Sequence, residues 1–251
     1  MKVESKSIVI SSTESDFREH FYPPINLDPK GRHEIALVGL DMYHSIPNID
    51  NTNNIFVYEY GNTTCVIQIP TGSYEIDAIN DFIQKKAAEN GHNDLFEIKA
   101  NINTLKCVIH IKDPSIKIHF NEYPTEAIKS GAIENSLRSM LGFRSITVEG
   151  IGEHEGQNPV NIISVNSILV HCNVVEGSYL NASPKPLIYS FFPDVPPGYK
   201  IVQNPNSIVY LPITSPTLES IRIWLTDQDR KPLNIRGETV TVRLHLKSTF
   251  Y

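Results

Sequence analysis

The sequence is short of the residue patterns that usually mark chemistry, secretion or nucleic-acid binding. It holds only 3 cysteines in 251 residues, Cys65, Cys107 and Cys172. Their odd number, wide spacing and apolar neighbours argue against a disulfide framework and predict buried free thiols in a reducing compartment. Basic charge is also in deficit: 22 Lys and Arg stand against 28 Asp and Glu, a net charge of −6. The longest basic clusters are pairs such as Lys85–Lys86 and Arg230–Lys231. Direct binding to nucleic acid, which calls for a basic patch or stripe, is therefore not expected. No apolar run approaches the length of a membrane span. The first residues, Met1-Lys2-Val3-Glu4-Ser5, lead into no signal-type apolar stretch. Without such a signal, the sequons at Asn62 and Asn181 read as plain loop residues.

Catalytic signatures are missing as well. There is no Gly-x-Ser-x-Gly elbow, no glycine-rich phosphate loop ending in Lys-Ser or Lys-Thr, and no His-Glu-x-x-His. Three of the 9 histidines, His110, His119 and His245, occupy the polar side of alternating segments and read as sheet surface. His171 and Cys172 are adjacent, so on a strand they point to opposite faces and are poorly placed to share a metal. Asp227-Gln228-Asp229 lacks the glycine and distal glutamate of a calcium loop and reads as a hairpin turn. His154-Glu155 lies in a glycine-rich loop without partners at fixed spacing. No catalytic residue, cofactor or metal site is expected.

What is present is alternation. In Val240-Thr241-Val242-Arg243-Leu244-His245-Leu246-Lys247 every even position is apolar, the pattern of a strand with one buried face. Leu105–Lys112, Ile116–Phe120, Thr64–Ile69 and Phe96–Ala100 repeat it. In Ile221–Leu225 the isoleucines and the leucine share one face, and Trp224 lies beside Arg222 on the other, either under a loop or as an anchor for a subunit interface. Ile35–Leu40 and Ile163–Val175 are more continuously apolar and predict central strands. Ile55–Tyr60, Pro186–Phe192 and Ser207–Ile213 are further strand candidates. The 17 prolines and 13 glycines fall between apolar runs, as short strands joined by turns require.

Helix is scarce. Ile76, Ile79, Phe82 and Ile83 share one face of a segment from about Tyr74 to Glu89, and Asn90-Gly91 supplies its stop. A second, shorter helix is expected over Glu134–Leu141 with Gly142 behind it. The result is an acidic, thiol-bearing β sandwich. These features alone do not choose among a lectin, a signalling ligand and a shell protein.

Several segments go further. They are Ile25-Asn26-Leu27 with His33 to Leu40; Ile67 to Glu75, leading into the helix; Ser136 to Phe143; Asn158 to Ile162 with Val165 to Cys172; Val195 to Tyr199; and Ser220 to Asp227. Together, in this order, they resemble the penton, or minor capsid, protein of Polinton (Maverick) elements, adintoviruses and related viruses. The resemblance spans roughly Phe21 to Lys247 and carries no active-site motif. It implies an all-β, antiparallel jelly-roll sandwich forming a homopentamer at the five-fold vertices of an icosahedral virion capsid assembled inside the host cell, in nucleus or cytoplasm. The implied partners are further copies of itself and a double-jelly-roll major capsid protein, the hexon. Two jelly rolls in tandem should need far more chain than this, so the hexon role itself is not expected. One jelly roll uses eight strands, fewer than the ten or eleven strand candidates in this sequence. The surplus and the helix are assigned to a strand–helix–strand insertion around 54–101 within a single domain of residues 1–251. Residues 149–160 are read as a long loop. The rival reading is a stand-alone jelly-roll binding module, lectin-like or a receptor ligand. A cupin-like enzyme would need histidines converging from several strands.

Overall fold

The computed structural model describes residues 2–124, 131–163, 165–213 and 215–251. Eighteen strands and one helix follow one another along these residues. The first are β1 (Lys2–Ser12), β2 (Asp16–Asn26), β3 (Gly31–Tyr43), β4 (Ile55–Tyr60) and β5 (Thr63–Gln68). Then come α1 (Ile76–Glu89), β6 (Phe96–Asn101), β7 (Lys106–Ile111), β8 (Ile116–His119), β9 (Thr147–Glu149) and β10 (Gly152–Glu155). The rest are β11 (Ile168–Cys172), β12 (Tyr179–Leu180), β13 (Ser183–Pro184), β14 (Leu187–Phe191), β15 (Lys200–Gln203), β16 (Leu211–Pro212), β17 (Thr217–Thr226) and β18 (Val240–Phe250).

The chain divides into two compact units, one of Met1–Ile46 with Val165–Tyr251 and one of Pro47–Ser164. In the first unit, one sheet runs β1-β18-β3-β15, with β16 also on β3, and the other runs β2-β17-β11-β14. All these pairings are antiparallel. Setting aside the short β12, β13 and β16 and numbering the rest along the chain, the sheet orders become first-eighth-third-sixth and second-seventh-fourth-fifth. Each sheet thus interleaves strands from both ends of the segment, which is jelly-roll topology. Inward residues of both sheets share one core: Ile8, Ile10, Val242, Leu244 and Leu246 from one, Phe17, Val170, Cys172, Ile221 and Ile223 from the other.

β3 shows why a strand can read as continuously apolar. Arg243 pairs with Gly39 and Leu244 with Leu37, so Val38 is an extra residue, a bulge. The bulge shifts the alternation by one. Ile35 and Leu37 point into the core before it, and Leu40 and Met42 after it. β11 is buried along its whole length between β14 and β17. The strand expected over Ile163–Val175 is shorter than that, and Ser164 lies outside the described residues.

The second unit has its own core, from Ile49 through Val148. Its sheets are β5-β4-β8-β9 and β10-β7-β6. Helix α1 buries Ile76, Ile79, Ile83 and Ala87. It also guards the open edge of β6: Gln84 Nε2 donates to the Phe96 carbonyl at 2.7 Å, and the Ile98 N–H donates to Asn80 Oδ1 at 2.9 Å.

The unit is wider than the insertion expected at 54–101. β4 pairs with β8 and β6 with β7, so neither sheet is complete without residues beyond 101. The segment expected as one loop, 149–160, contains β10, which pairs with β7 from Gly152↔Ile111 to Glu155↔Val108. Glycines at positions 150, 152 and 156 hid that strand. The short helix expected over Glu134–Leu141 is a run of turns. Gly142 follows it with φ +78°, and the Phe143 N–H donates to the Arg138 carbonyl at 3.0 Å.

Candidate functional site

The histidines are spread over separate elements. His119, on β8, faces Glu59 at 3.3 Å and Thr147 at 3.5 Å. His245, on β18, meets the Tyr210 hydroxyl at 2.6 Å, and the Lys247 ammonium lies 4.7 Å from the Tyr210 ring centre. His154, on β10, contacts the Gly150 carbonyl at 2.8 Å. His110 lies half-buried on β7. Among the described residues no three His, Cys, Asp or Glu side chains come together in a way that would hold a metal ion. Asp227 closes a turn, its Oδ1 accepting from the N–H groups of Asp229 and Lys231, each at 2.8 Å. The sequon asparagines are exposed, Asn62 between β4 and β5 and Asn181 at the β12–β13 hairpin.

Several functional-type side chains meet on the outward face of the second sheet of the jelly-roll unit. Antiparallel pairing of β11 with β17 sets His171 opposite Trp224. Their rings stack with centroids 5.0 Å apart and planes 9° from parallel. The Arg222 guanidinium lies 5.0 Å from the Trp224 ring centre, a cation–π contact. Arg222 also grips Asp16 of β2 with two hydrogen bonds, Nε to Oδ1 at 2.7 Å and Nη2 to Oδ2 at 2.5 Å. That grip holds the Asp16 carboxyl below its usual range. The expected outward histidine is therefore covered: His171 is only 5% exposed, beneath Trp224 and beside Thr226. Its Nε2 and the Thr226 Oγ1 are 3.0 Å apart, while Nδ1 is buried without a partner. Burial, then the charge of Lys185, pushes this imidazole toward its neutral form. Cys172 points the other way, into the core, where burial raises its thiol to about 11.

Trp224 and Arg222 share a face in the sequence, but the residues they pack on, His171 and Asp16, come from distant segments. Nothing local to His171 or Asp16 shows that strand register will bring them there. The arrangement has the parts of a recognition patch, an aromatic ring, a cation and a half-exposed carboxylate, rather than those of a catalytic site.

No protein-family model and no curated protein matches the chain. A solved structure does. The crystal structure of the selenomethionine-labelled mavirus penton protein aligns with 99% of this chain and 100% of that one, with a TM-score of 0.51 and 11% sequence identity. The chain shares its fold with a virus penton protein. At that identity the likeness is one of fold, and the alignment takes in the nested unit as well as the jelly roll. No helix among the described residues is long and apolar enough to cross a membrane.

Proposed function

We propose that the chain is a structural capsid protein, a penton that sits as a homopentamer at the five-fold vertices of an icosahedral shell, among double-jelly-roll hexon subunits. One observation carries this reading: a jelly roll interrupted by a nested β unit aligns end to end with the mavirus penton protein. On this reading the chain is not an enzyme, binds no genome directly, and resides in the virion capsid after assembly inside the host cell. A ring of five needs heterologous contacts that close, one flank of each copy meeting the opposite flank of the next. The jelly roll has unlike flanks to offer. β1 runs 11 residues along one edge of its sheet, while the other edge is made of the short β15 and β16.

Cryo-microscopy of particles assembled with the cognate hexon tests the assignment. Density for this chain confined to the five-fold positions is the expected result. Particles that close normally without it, or that carry it away from the vertices, would overturn the penton role and favour a stand-alone binding module.

A further inference from the structure

We propose that the outward face of the second jelly-roll sheet, from Arg18 across to Lys185, is a docking surface for an acidic, extended peptide segment of another protein. The proposal does not depend on the capsid reading. Antiparallel pairing of β2 with β17 puts Arg18 directly opposite Arg222, and Asp16 opposite Trp224. Like charges directly opposite one another destabilise a sheet, and an anion seated beside them offsets that repulsion. The carboxylate at hand, Asp16, is already engaged, because both its oxygens accept from Arg222. Arg18 is exposed, and among the described residues its guanidinium makes no hydrogen bond or ion pair.

A second cation without a partner lies across the same face. β11 sits between β17 and β14, with His171 opposite Trp224 on one side and Leu187 on the other. Just past His171, the Arg222 N–H donates to Asn173 Oδ1 at 2.7 Å and the Cys172 N–H to the Pro186 carbonyl at 2.8 Å. These bonds carry the row from β2 over β17 and the end of β11 to Lys185, whose charge acts on His171. Among the described residues the Lys185 ammonium makes no hydrogen bond or ion pair either.

The spacing and the charge select the occupant. From β2 to β14 is three strand spacings, about 14 Å, which an extended chain covers in about four residues. Side chains four apart on such a chain point the same way, so carboxylates at i and i+4 reach both Arg18 and Lys185. The row sets three cations, Arg18, Arg222 and Lys185, against the single carboxylate of Asp16, on a chain whose net charge is −6. Attraction for an acidic segment therefore comes from the patch and not from the whole molecule. Aromatic area lies beside it. Trp224 flanks the row, and Tyr22 is 98% exposed where Phe21 to Pro24 bulge between the Ile25↔Leu218 and His20↔Ser220 pairs. Trp, Tyr and Arg are the side chains that dominate binding energy at interfaces.

Trp224 is the chain's one tryptophan, so its fluorescence reads the patch directly. The test titrates the native full-length chain, at about 0.1 M salt, with a synthetic serine peptide carrying glutamate at every fourth position, and with its glutamine counterpart. A saturable change in emission with the glutamate peptide alone is expected, weakening as salt is raised to about 1 M. Arg18→Gln combined with Lys185→Gln is expected to weaken binding about tenfold or more. Lys85→Gln combined with Lys86→Gln alters the net charge equally and is expected to leave binding unchanged. No saturable change, an equal response to the glutamine peptide, or equal weakening in both double variants would overturn the proposal. So would saturation by free glutamate at the same carboxylate concentration, which would make the face a small-anion site. An emission change that appears without peptide as the chain self-associates would put a second copy on this face and overturn it as well.

Discussion

Arg243 and Leu244 are neighbours on β18 and face opposite ways. Leu244 is fully buried in the jelly-roll core, and Leu244→Ala is expected to cost about 2–5 kcal/mol as a buried truncation. Alternation alone makes Arg243 a free surface residue whose loss should cost well under about 1 kcal/mol. The structure changes that expectation, because Arg243 is hydrogen-bonded to Asp41 of β3, which is only 8% exposed. Arg243→Ala strands that carboxylate and is expected to cost about 1–3 kcal/mol. Urea unfolding of the two variants checks both values, and a Leu244→Ala loss under about 1 kcal/mol would mean that the register is wrong. The face of each residue was legible in the sequence. The partner was not, since it depends on which strand lies alongside.

His171 makes a second residue-scale prediction. Its folded-state pKa is depressed, so above the unfolded value of about 6.5 both states are neutral and the group costs nothing. As the pH falls below that value the unfolded chain binds the proton first. Stability is then lost until the folded imidazole titrates as well. His171→Phe keeps a ring against Trp224 and removes the titration. Its melting temperature should fall less than that of the native chain between pH 7.5 and 5.5, measured by circular dichroism. A parallel fall in both proteins would show that other groups govern the acid response.

At the scale of elements, period-two patterns foretold β5, β7, β8 and β18, with Cys65, Ile109, Ile118 and Leu244 all inward. The helix appeared within two residues of its expected start, because its apolar face and its glycine stop are local features. β1 and β2 escaped detection for an equally physical reason. β1 buries only Ile8 and Ile10, and β2 only Phe17, so most of each strand has no apolar period to read. The turn at Gly142 was marked by its glycine, yet what the glycine permits is visible only in the fold. A Cβ there would sit 2.2 Å from the Asn158 carbonyl oxygen, at a φ of +78°. Gly61 has a similar φ of +59° and open space around it. Gly61→Ala should therefore cost about 1–2 kcal/mol, the left-handed backbone penalty alone. Gly142→Ala should cost clearly more, because the backbone of 158 and 159 must also move. Chemical denaturation of the pair separates conformational strain from collision, and equal losses would show that the segment around Asn158 yields freely.

For the whole molecule, local patterns pointed to a β sandwich but not to how its strands interleave. Nothing between Tyr43 and Ile168 marks those strands as partners in one jelly roll with a whole unit placed between them. Segment resemblance supplied that expectation, and topology made it specific. Charge sets the last prediction. Each copy carries a net charge of −6, so the five copies of the proposed ring would repel one another. Screening shortens the reach of that repulsion from about 10 Å at 0.1 M salt to about 3 Å at 1 M. Apolar side chains exposed on the flanks of the first sheet, Val3 and Val9 on β1 and Val202 on β15, lose no attraction when salt is added. Sedimentation velocity at high protein concentration should therefore show association rising with ionic strength, toward the mass of a pentamer. Trp224→Ala leaves the net charge unchanged and removes aromatic area beside Arg222, so it tests whether the patch on the second sheet joins the contact. A variant that keeps its fold but loses the salt-promoted association would place the patch within the ring interface, and unchanged association would place it outside. Association that weakens as salt is raised would mean that opposite charges hold the copies together, and the screening argument would fail.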